Sequence, residues 1–435
     1  MKLKRTPTNE LKAGKKVLVK GWVSQVRNLG GLVFFLLRDG YGDIQITVKK
    51  KDAKKGMLDA VSKLARESCV TVQGTVKKSK QISKGIEIIP QSIDILCKAE
   101  PLPIEPSERV NTSLDKRLDW RSLDLRDPKN LAIFKIEAKL IEGMEEYLRR
   151  QGFLQVFTPC IMGAASEGGA DVFKIDYFGK PAFLRQDPQL HRQLALIGGL
   201  ERIFDIGPSW RAEPHHTARH LCEHRGIAVE LSFIDDERDV MRVEEKLILS
   251  AFNRVKKKCK EELKLLGKKV IVPKTPFPLL EFPKIYDILE KMGKKIEFGE
   301  EYDTESEKLL WEWVKKKHKN DFYFVNRFPF KVKPFYVMRI DGDPQWARST
   351  DLLYRGVEQS SGGQREHRYE KIIEQAKIKG MNLKSLEWFT KFFKYGAPPH
   401  GGFCLGLERL TWMMLDIGNI RETCLFPRAP ERILP

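Results

Sequence analysis

The sequence has no long run of apolar residues. Only 41% of its 435 residues are hydrophobic, and Met1 to Pro7 are mostly basic and polar instead of forming an apolar signal core. A membrane-spanning helix needs about 20 consecutive apolar residues, and a secretory leader needs a shorter apolar core. We therefore expect a cytoplasmic protein with no membrane partner.

Cysteine is scarce and shows no paired spacing. The seven cysteines are Cys69, Cys97, Cys160, Cys222, Cys259, Cys404 and Cys424. Small disulfide-stabilised domains are dense in cysteine, so this pattern favours reduced thiols. The chain is also long enough to form two domains, each with its own hydrophobic core.

Acidic residues are fewer than basic residues. Lys and Arg number 78 against 59 Asp and Glu, which gives a net charge of +19 and a pI near 9.4. Such an excess points to a polyanionic partner, nucleic acid first, because Lys and Arg neutralise phosphates and release counterions. The alternative is a general bias toward lysine.

The first hundred residues alternate between apolar and polar side chains, as strands do. The pattern predicts strands over 16–27, 32–38, 43–48, 69–76 and 86–96, with a helix over 57–66. Five strands with a helix after the third are typical of an OB-fold barrel, which commonly binds oligonucleotides.

The remainder of the chain predicts an α+β domain. A Pro-rich joint begins at Pro101, so we expect an OB-fold barrel over 1–100, a hinge over 101–130 and a larger domain over 131–435. Spacing predicts a helix over 133–151, then a strand over 152–159, and later strands favour an antiparallel sheet flanked by helices. The lysine-dense stretch 242–269 predicts a solvated helix, with RNA contact as the alternative.

A glycine-rich run lies near the C-terminus. Gly401, Gly402 and Gly406 remove side chains where a backbone could approach a flat ligand, and Arg409 follows at the start of an apolar helix. A guanidinium in this position suits a nucleobase or a terminal phosphate. The alternative is a tight strand-to-helix turn.

A second basic cluster runs from Arg202 to His224. The pattern places Arg211 on a strand, and Arg219 and His220 beyond a polar loop that contains Pro214. Guanidinium groups bind phosphate oxygens with two hydrogen bonds, so a polyphosphate is the natural ligand. Surface arginines on a hairpin are one alternative. A zinc site is another, built from His215, His216, His220, Cys222 and His224.

These motifs together resemble the aspartyl/asparaginyl branch of the class II aminoacyl-tRNA synthetases, subclass IIb. The resemblance rests on three motifs in order: Gly152-Phe153 with Pro159, Trp210 to Glu230, and Gly402 to Arg409. It extends from the barrel to Arg428. It implies activation of an amino acid by ATP, transfer to the 3′ end of tRNA, and a homodimer formed around the first motif.

The resemblance also implies the ligands of ATP. Arg211 would hold the α-phosphate and Arg409 the γ-phosphate, both as catalytic groups. Glu358 would be the Mg²⁺ carboxylate with Ser361 beside it, although an ion pair between Glu358 and Arg355 is the alternative. The other ATP-binding residues implied are Glu213, Arg219, His220, Glu223 and His224.

The implied amino-acid pocket distinguishes aspartate from asparagine. Its residues are Glu167, which would bind the substrate ammonium, and Gln189, Arg192 and Arg365. Two cations facing one side chain favour aspartate, because asparagine would leave a buried charge unpaired. An asparaginyl enzyme is one alternative. A synthetase-like RNA-binding protein that has lost activation is another.

The barrel would read the anticodon of tRNA(Asp), with tRNA(Asn) left open as a second substrate. The resemblance assigns base stacking to Phe34 and hydrogen bonding to Gln45, with Arg27 as a third contact. Neighbouring strand residues face opposite sides, and we expect Phe34 outside and Phe35 in the core.

Five residues depart from the family pattern. They are Asp187 in place of serine, Arg192 in place of lysine, His224 in place of an aromatic residue, Ala228 in place of an acidic residue near the ammonium site, and Cys404 in place of glycine.

Overall fold

The chain of the computed structural model divides into two units, Met1–Trp120 and Arg121–Pro435. The structure describes residues 3–82, 84–106, 110–163, 172–212 and 217–435. The division falls inside the stretch 101–130 that the sequence predicts as a hinge. None of the helices in these ranges combines the length and the apolar character needed to cross a membrane.

The first unit is built around a closed five-stranded barrel with the strand order β1-β2-β3-β5-β4. Apolar residues at alternate positions of the strands, such as Val19, Phe35, Ile46 and Val72, fill its core. The predicted OB-fold barrel, with its helix after the third strand, is confirmed. Its elements are β1 (Lys16–Leu29), β2 (Leu32–Asp39), β3 (Gly42–Lys49), α1 (Lys55–Ser62), β4 (Cys69–Lys78), β5 (Ile86–Cys97) and the short α2 (Leu114–Asp119).

The second unit contains an eight-stranded sheet, which confirms the predicted α+β class. The strand order is β12-β13-β16-β17-β18-β11-β10-β6, and its central strands are antiparallel. Only the pairs β6–β10 and β12–β13 are parallel among the described strands of this sheet. The three-stranded sheet β7-β9-β8 and the pair β14-β15 lie outside it.

The strands of this unit are β6 (Leu154–Gln155), β7 (Ile161–Met162), β8 (Lys174–Tyr177), β9 (Lys180–Leu184), β10 (Arg202–Trp210), β11 (Glu223–Ser232), β12 (Leu279–Glu281), β13 (Phe322–Asn326), β14 (Arg339–Ile340), β15 (Asp343–Ala347), β16 (Ser349–Tyr354), β17 (Val357–Arg365) and β18 (His400–Gly406). The helices are α3 (Arg121–Asp124), α4 (Pro128–Arg150), α5 (Gln189–Ile197), α6 (Glu237–Lys258), α7 (Lys260–Leu266), α8 (Lys284–Lys291), α9 (Thr304–His318), α10 (Tyr369–Ile378), α11 (Leu383–Thr390) and α12 (Leu407–Leu415).

Helix α4 begins and packs as its sequence dictates. Asp127 caps it by accepting a hydrogen bond from the backbone N–H of Lys129, and Pro128 occupies the first turn, where no partner for a proline nitrogen is needed. Its apolar positions recur at helical spacing and are buried against the sheet and α6. At the crossing, Gly143 lets the backbones approach, because a Cβ there would lie 2.9 Å from Cα of Ala251.

Two local predictions were wrong. The stretch 242–269 is not one solvated helix: α6 and α7 divide at Cys259, and residues such as Leu247, Phe252 and Val255 are buried in the main core. The many lysines of this stretch alternate with apolar residues at ordinary helical spacing, and these apolar residues form the buried face. The predicted strand over 152–159 is reduced to Leu154–Gln155.

The helix crossing gives a stability prediction. Gly143→Ala should lower the free energy of unfolding by about 1–3 kcal/mol, because the new methyl group forces the backbones of α4 and α6 apart. Chemical denaturation followed by circular dichroism measures the effect. Gly418→Ala is the matched control in the same unit, since its Cβ would meet no atom within 4 Å. Equal stability of the two variants would contradict the packing argument.

Candidate active site

A cavity of about 380 Å³ lies on one face of the large sheet. Strands β11, β17 and β18 supply its floor, since alternate residues of a strand point to the same side. Among the predicted site residues, those lining the cavity are Gln189, Arg211, Arg219, His220, His224, Glu358, Ser361, Arg365 and Arg409. Residues far apart in sequence thus meet around one space.

One end of the cavity carries positive charge. Arg211 directly follows β10, and its backbone N–H donates to the carbonyl of Cys222 across the paired strands. Arg409 lies in the first turn of α12, where its Nη1 donates to the carbonyl oxygen of Glu358 at 2.9 Å. Arg219 and His220 complete this end from the loop before β11. Such a ring of donors suits a polyphosphate.

A pair of carboxylates lies beneath the same end. Asp351 of β16 is paired with Ser361 of β17, so both side chains are directed to the face that carries Glu358 and the cavity. Burial and the Asp351 carboxylate raise the pKa of Glu358, against the opposing effect of Arg409. The Glu358 side chain lines the cavity, and 43% of its surface is exposed. Lys333 Nζ lies 3.0 Å from Asp351 Oδ2.

This carboxylate pair fits a magnesium ion held partly by phosphates. Mg²⁺ in nucleotide sites takes one or two carboxylates, with phosphate oxygens and water completing the shell. Across the described ranges, no group of three His, Cys, Asp or Glu side chains could hold a metal ion by itself. Arg355, the alternative partner of Glu358, instead lies 3.4 Å from Asp321.

The opposite end of the cavity is organised by a buried ion pair. Arg365, at the end of β17, lies 2.9 Å from Glu230 of β11 and also donates to the carbonyl of Gly402 at 3.0 Å. Gln189, at the start of α5, accepts from Arg365 at 3.2 Å and donates to Glu230 at 2.7 Å. The three side chains therefore fix one another in the wall of the cavity.

Glycine at position 402 is required by this ion pair. A Cβ on Gly402 would lie 2.0 Å from the carbonyl oxygen of Val229 and 2.4 Å from the carboxyl carbon of Glu230. The sequence interpretation, that this glycine makes room for a flat ligand, was therefore wrong. Gly402 makes room for Glu230 and the neighbouring strand.

Arg192 is also paired within the protein. Its Nη2 lies 2.7 and 2.6 Å from the two oxygens of Asp187 and 3.0 Å from Oε1 of Gln189. Arg192 is only 1% exposed and does not line the cavity, whereas Asp187 does. Both predicted cations therefore already have a carboxylate partner, which the charge argument from the sequence did not include.

His224 faces the positive end. Burial, together with Arg211 and Arg409, lowers the pKa of His224 to about 4. The ring is therefore neutral at neutral pH and presents an aromatic surface to the cavity without adding a positive charge. Glu223, by contrast, is not among the lining residues, and it accepts a hydrogen bond from Nε1 of Trp210 at 3.3 Å.

Several predicted residues fall outside the described ranges. They are Glu167, Glu213, His215 and His216. Of the remaining proposed zinc ligands, His220 lies 2.6 Å from the hydroxyl of Thr217, and Cys222 is buried. The described part of the chain thus offers the zinc alternative no support.

In the barrel unit, the three predicted anticodon residues share one surface. Arg27 of β1 is paired with Phe34 of β2. Gln45 of β3 is paired with Leu36, which lies two residues after Phe34 on β2 and therefore on the same face. Phe34 is partly exposed, whereas Phe35 is 1% exposed in the core, which confirms the predicted orientation. The barrel therefore presents an aromatic ring flanked by a cation and an amide.

Comparison with known families agrees with this geometry. Residues 113–430 match the family described as tRNA synthetases class II (D, K and N), and residues 17–96 match the OB-fold nucleic acid binding domain. The first match covers well over half of the chain. This protein is a class II tRNA synthetase of the D, K and N family.

Relatives of this synthetase carry two related descriptions. An aspartate-tRNA(Asp) ligase of Pyrococcus furiosus is 46% identical over 98% of both chains. An aspartate-tRNA(Asp/Asn) ligase of Aeropyrum pernix is 42% identical over 98% of this chain and 97% of the relative. Among solved structures, asparaginyl-tRNA synthetase from Pyrococcus horikoshii, complexed with asparaginyl-adenylate, matches with a TM-score of 0.93 at 33% identity, covering 100% of both chains.

Sequence reasoning on the synthetase missed Asp351 as a member of the carboxylate pair. A signal was present in the sequence, because Asp351 and Glu358 stand on either side of Arg355-Gly356, where β16 turns into β17. Opposed strands of a hairpin bring such residues to one face. The pairing of Glu230 with Arg365 carried no such local signal, because 135 residues separate them.

His400, at the start of β18, lies close to the ion pair of Glu230 and Arg365. It is fully buried, with Nδ1 2.8 Å from the carbonyl of Pro398 and Nε2 3.1 Å from the side-chain amide of Gln193. Burial lowers the pKa of His400 from its ordinary value of 6.5 to about 4, despite the opposing effect of the Pro398 carbonyl. The folded synthetase therefore holds this ring neutral.

A pH-dependent stability follows. Between pH 6.5 and about 4 the unfolded chain binds a proton at His400 that the folded chain does not. The free energy of unfolding should therefore fall as the pH is lowered through this range. His400→Asn should make the dependence of this free energy on pH less steep, by an amount that corresponds to at most one bound proton. Urea unfolding at several pH values between 6.5 and 5 measures both slopes. Identical slopes in the wild-type protein and in His400→Asn would contradict a ring that is neutral and buried in the folded chain.

Proposed function

We propose that this synthetase activates aspartate with ATP and transfers it to the 3′ end of tRNA(Asp). The observation that carries the choice of substrate is the guanidinium of Arg365 in the cavity wall. Its Nη2 is fixed by Glu230 and Gln189, and the residue lines the cavity. A guanidinium held in a cavity wall binds a carboxylate ligand through charge-assisted hydrogen bonds.

ATP would bind with its phosphates at the positive end. Arg211 and Arg409 are proposed as the catalytic cations, since the cavity places both beside Glu358, and Arg219 and His220 would bind the outer phosphates. His224 would lie against the adenine ring. Glu213 and Glu223 remain proposed nucleotide ligands on the resemblance alone.

Mg²⁺ would be held by Glu358 with Ser361 beside it, and we add Asp351 to this proposed set. The two carboxylates lie where the arginines would bring the phosphates, which is the arrangement that Mg²⁺ uses in nucleotide sites. When bound, the ion would neutralise phosphate charge and align the outer phosphates.

Catalysis in this proposal is orientation and charge neutralisation. The α-carboxylate of aspartate would attack the α-phosphorus of ATP, and pyrophosphate would leave. Arg211 would stabilise the negative charge that develops on the α-phosphate, since it lines the positive end of the cavity near Glu358. No protein nucleophile is needed, because holding the two reactants in the correct relative position makes their reaction effectively unimolecular. A terminal ribose hydroxyl of tRNA would then attack the carbonyl carbon of the aspartyl-adenylate, so that an ester forms, the bond to phosphate breaks and AMP leaves.

Gln189, Arg192 and Arg365 form the proposed amino-acid pocket, together with Glu167. The barrel surface of Arg27, Phe34 and Gln45 would bind the anticodon. We also propose a homodimer and a cytoplasmic location, both on the resemblance. Charging of tRNA(Asn) is a further proposal, which the name of the Aeropyrum pernix relative supports.

Asparagine is the second candidate substrate. Arg192 and Arg365 each have a carboxylate partner in the protein, so the pocket does not carry two uncompensated positive charges. The likeness to an asparaginyl-tRNA synthetase structure also leaves the fold compatible with either substrate.

The first prediction for this function concerns the amino acid. ATP–pyrophosphate exchange by the purified enzyme with Mg²⁺ should occur with aspartate and not with asparagine, since only aspartate offers Arg365 a negatively charged group with two acceptor oxygens. Exchange with asparagine alone would overturn the aspartyl assignment. Absence of exchange with both would favour an RNA-binding protein that has lost activation.

The second prediction concerns the barrel. Phe34→Ala should lower the efficiency of tRNA(Asp) aminoacylation by about 10- to 100-fold, because base stacking on an aromatic ring contributes about 1–3 kcal/mol. Exchange without tRNA should be unchanged. Tyr41→Ala is the matched control, since Tyr41 is an exposed aromatic residue of the same barrel, at the β2–β3 turn. Equal losses in the two variants would refute a specific stacking role.

A further inference from the structure

Lys333 is a buried lysine that the proposed function does not use. It directly follows the short helical turn Phe330–Val332, lines the cavity, and leaves only 10% of its side-chain surface exposed. Lysine is rarely buried unless its charge is paired, because an ammonium group loses favourable hydration when it leaves water. A lysine in this part of the cavity wall is therefore a candidate functional residue.

Two close contacts hold the ammonium group of Lys333 in one place. Its Nζ lies 3.0 Å from Oδ2 of Asp351 and 3.6 Å from the ring centroid of Phe328. Oε1 of Glu301 lies 3.9 Å from the same nitrogen. A cation attracted both by a carboxylate and by the face of an aromatic ring has little freedom to move. The positive charge of Lys333 is therefore fixed beside Asp351.

The carboxylate pair of Asp351 and Glu358 is balanced in charge by the protein itself. Lys333 is paired with Asp351, and Nη1 of Arg409 lies 3.8 Å from Oε1 of Glu358. Each carboxylate that we propose as a Mg²⁺ ligand thus already faces a cation of the protein. A divalent ion that approaches the pair would be repelled by both cations, since like charges interact strongly over short distances in a partly buried site.

ATP would change this balance of charge. Its phosphates would bring several negative charges to the end of the cavity that Arg211, Arg219 and Arg409 line. Mg²⁺ in nucleotide sites is commonly bound by phosphates together with one or two carboxylates. The added negative charge would offset the repulsion by Lys333 and Arg409, so a divalent ion would be attracted only when the phosphates are present.

We infer that Lys333 is the counter-cation of the Asp351–Glu358 pair, and that it makes Mg²⁺ binding depend on ATP. The inference rests on the proposed site for ATP and Mg²⁺. Lys333 thereby determines which species the carboxylates bind: it disfavours a free divalent ion and allows an ion that enters together with the nucleotide.

The test measures the binding of Mn²⁺, a paramagnetic substitute for Mg²⁺, to the purified protein without nucleotide. The electron paramagnetic resonance signal of free Mn²⁺ gives the dissociation constant. Lys333→Met should bind Mn²⁺ at least about 10-fold more tightly than the wild-type protein, because the charge that repels the ion and competes for Asp351 is lost. Lys333→Arg keeps the charge and should bind Mn²⁺ as weakly as the wild-type protein.

Lys331→Met is the matched control. Lys331 lies in the same segment, is 53% exposed, and pairs with Glu300 at the surface. Its replacement removes the same charge from the chain and should leave the Mn²⁺ affinity unchanged. Equal tightening in Lys331→Met and Lys333→Met would show a general effect of net charge and would overturn the inference. Unchanged or weaker Mn²⁺ binding in Lys333→Met would also overturn it.

A second variant guards against misfolding, since Lys333→Met leaves the buried Asp351 without its counter-charge. Lys333→Gln keeps a hydrogen-bond donor for Asp351 and should show the same tightening. Adding Asp351→Asn to Lys333→Gln should reverse the tightening, and tight binding retained in this double variant would place the ion elsewhere and refute the inference.

Binding of ATP, measured by calorimetry, separates the remaining outcomes. Weaker ATP binding to Lys333→Gln in the presence of EDTA, with an unchanged Mn²⁺ affinity, would assign Lys333 to the phosphates and overturn its role as counter-cation. Failure of the wild-type protein to bind ATP in the presence of Mn²⁺ would instead refute the proposed function.

Discussion

The buried pair of Glu230 and Arg365 is the interaction on which the active-site unit depends. It joins β11 to β17 across β18, and it engages α5 through Gln189. Removing one partner would leave an uncompensated charge in the interior, which costs several kcal/mol. The same pair explains why position 402 is glycine, and it fixes the guanidinium of Arg365 in the cavity wall. The contact that joins the strands therefore also shapes the cavity.

Features with a local signal were predictable from the sequence. The barrel strands alternate, so their number and positions along the chain follow from side-chain periodicity, whereas the outward position of Phe34 was predicted from the alternation together with the family resemblance. The basic cluster around Arg211 and the glycine-rich run before Arg409 were identified by composition. Their convergence on one cavity followed from the family resemblance and not from spacing. Helix α6 was misjudged because its lysines hide the apolar face that carries Leu247 and Val255.

The ion pairs and carboxylate contacts of the folded chain were not predictable from sequence spacing. The sequence shows Arg192 and Arg365 as two cations, but the partners that neutralise them are found only in the folded chain. Counting charges along the sequence therefore overstated the positive potential of the pocket. The same limitation hid Asp351, whose approach to Glu358 depends on the register of β16 and β17. Register over a hairpin is set by tertiary packing as well as by local pattern.

The choice between aspartate and asparagine is therefore a matter of the polar groups in the cavity wall and not of fold. Two substrates that differ by one oxygen and one NH₂ group can share a backbone, as the high structural likeness to an asparaginyl-tRNA synthetase illustrates. A site rejects the wrong one only when its own polar groups would be left without a partner. Arg365 offers donors alone, so an amide nitrogen directed at it would be repelled while a carboxylate oxygen would be bound. Because Glu230 and Asp187 balance the two arginines, this preference rests on the geometry of hydrogen bonding more than on net charge.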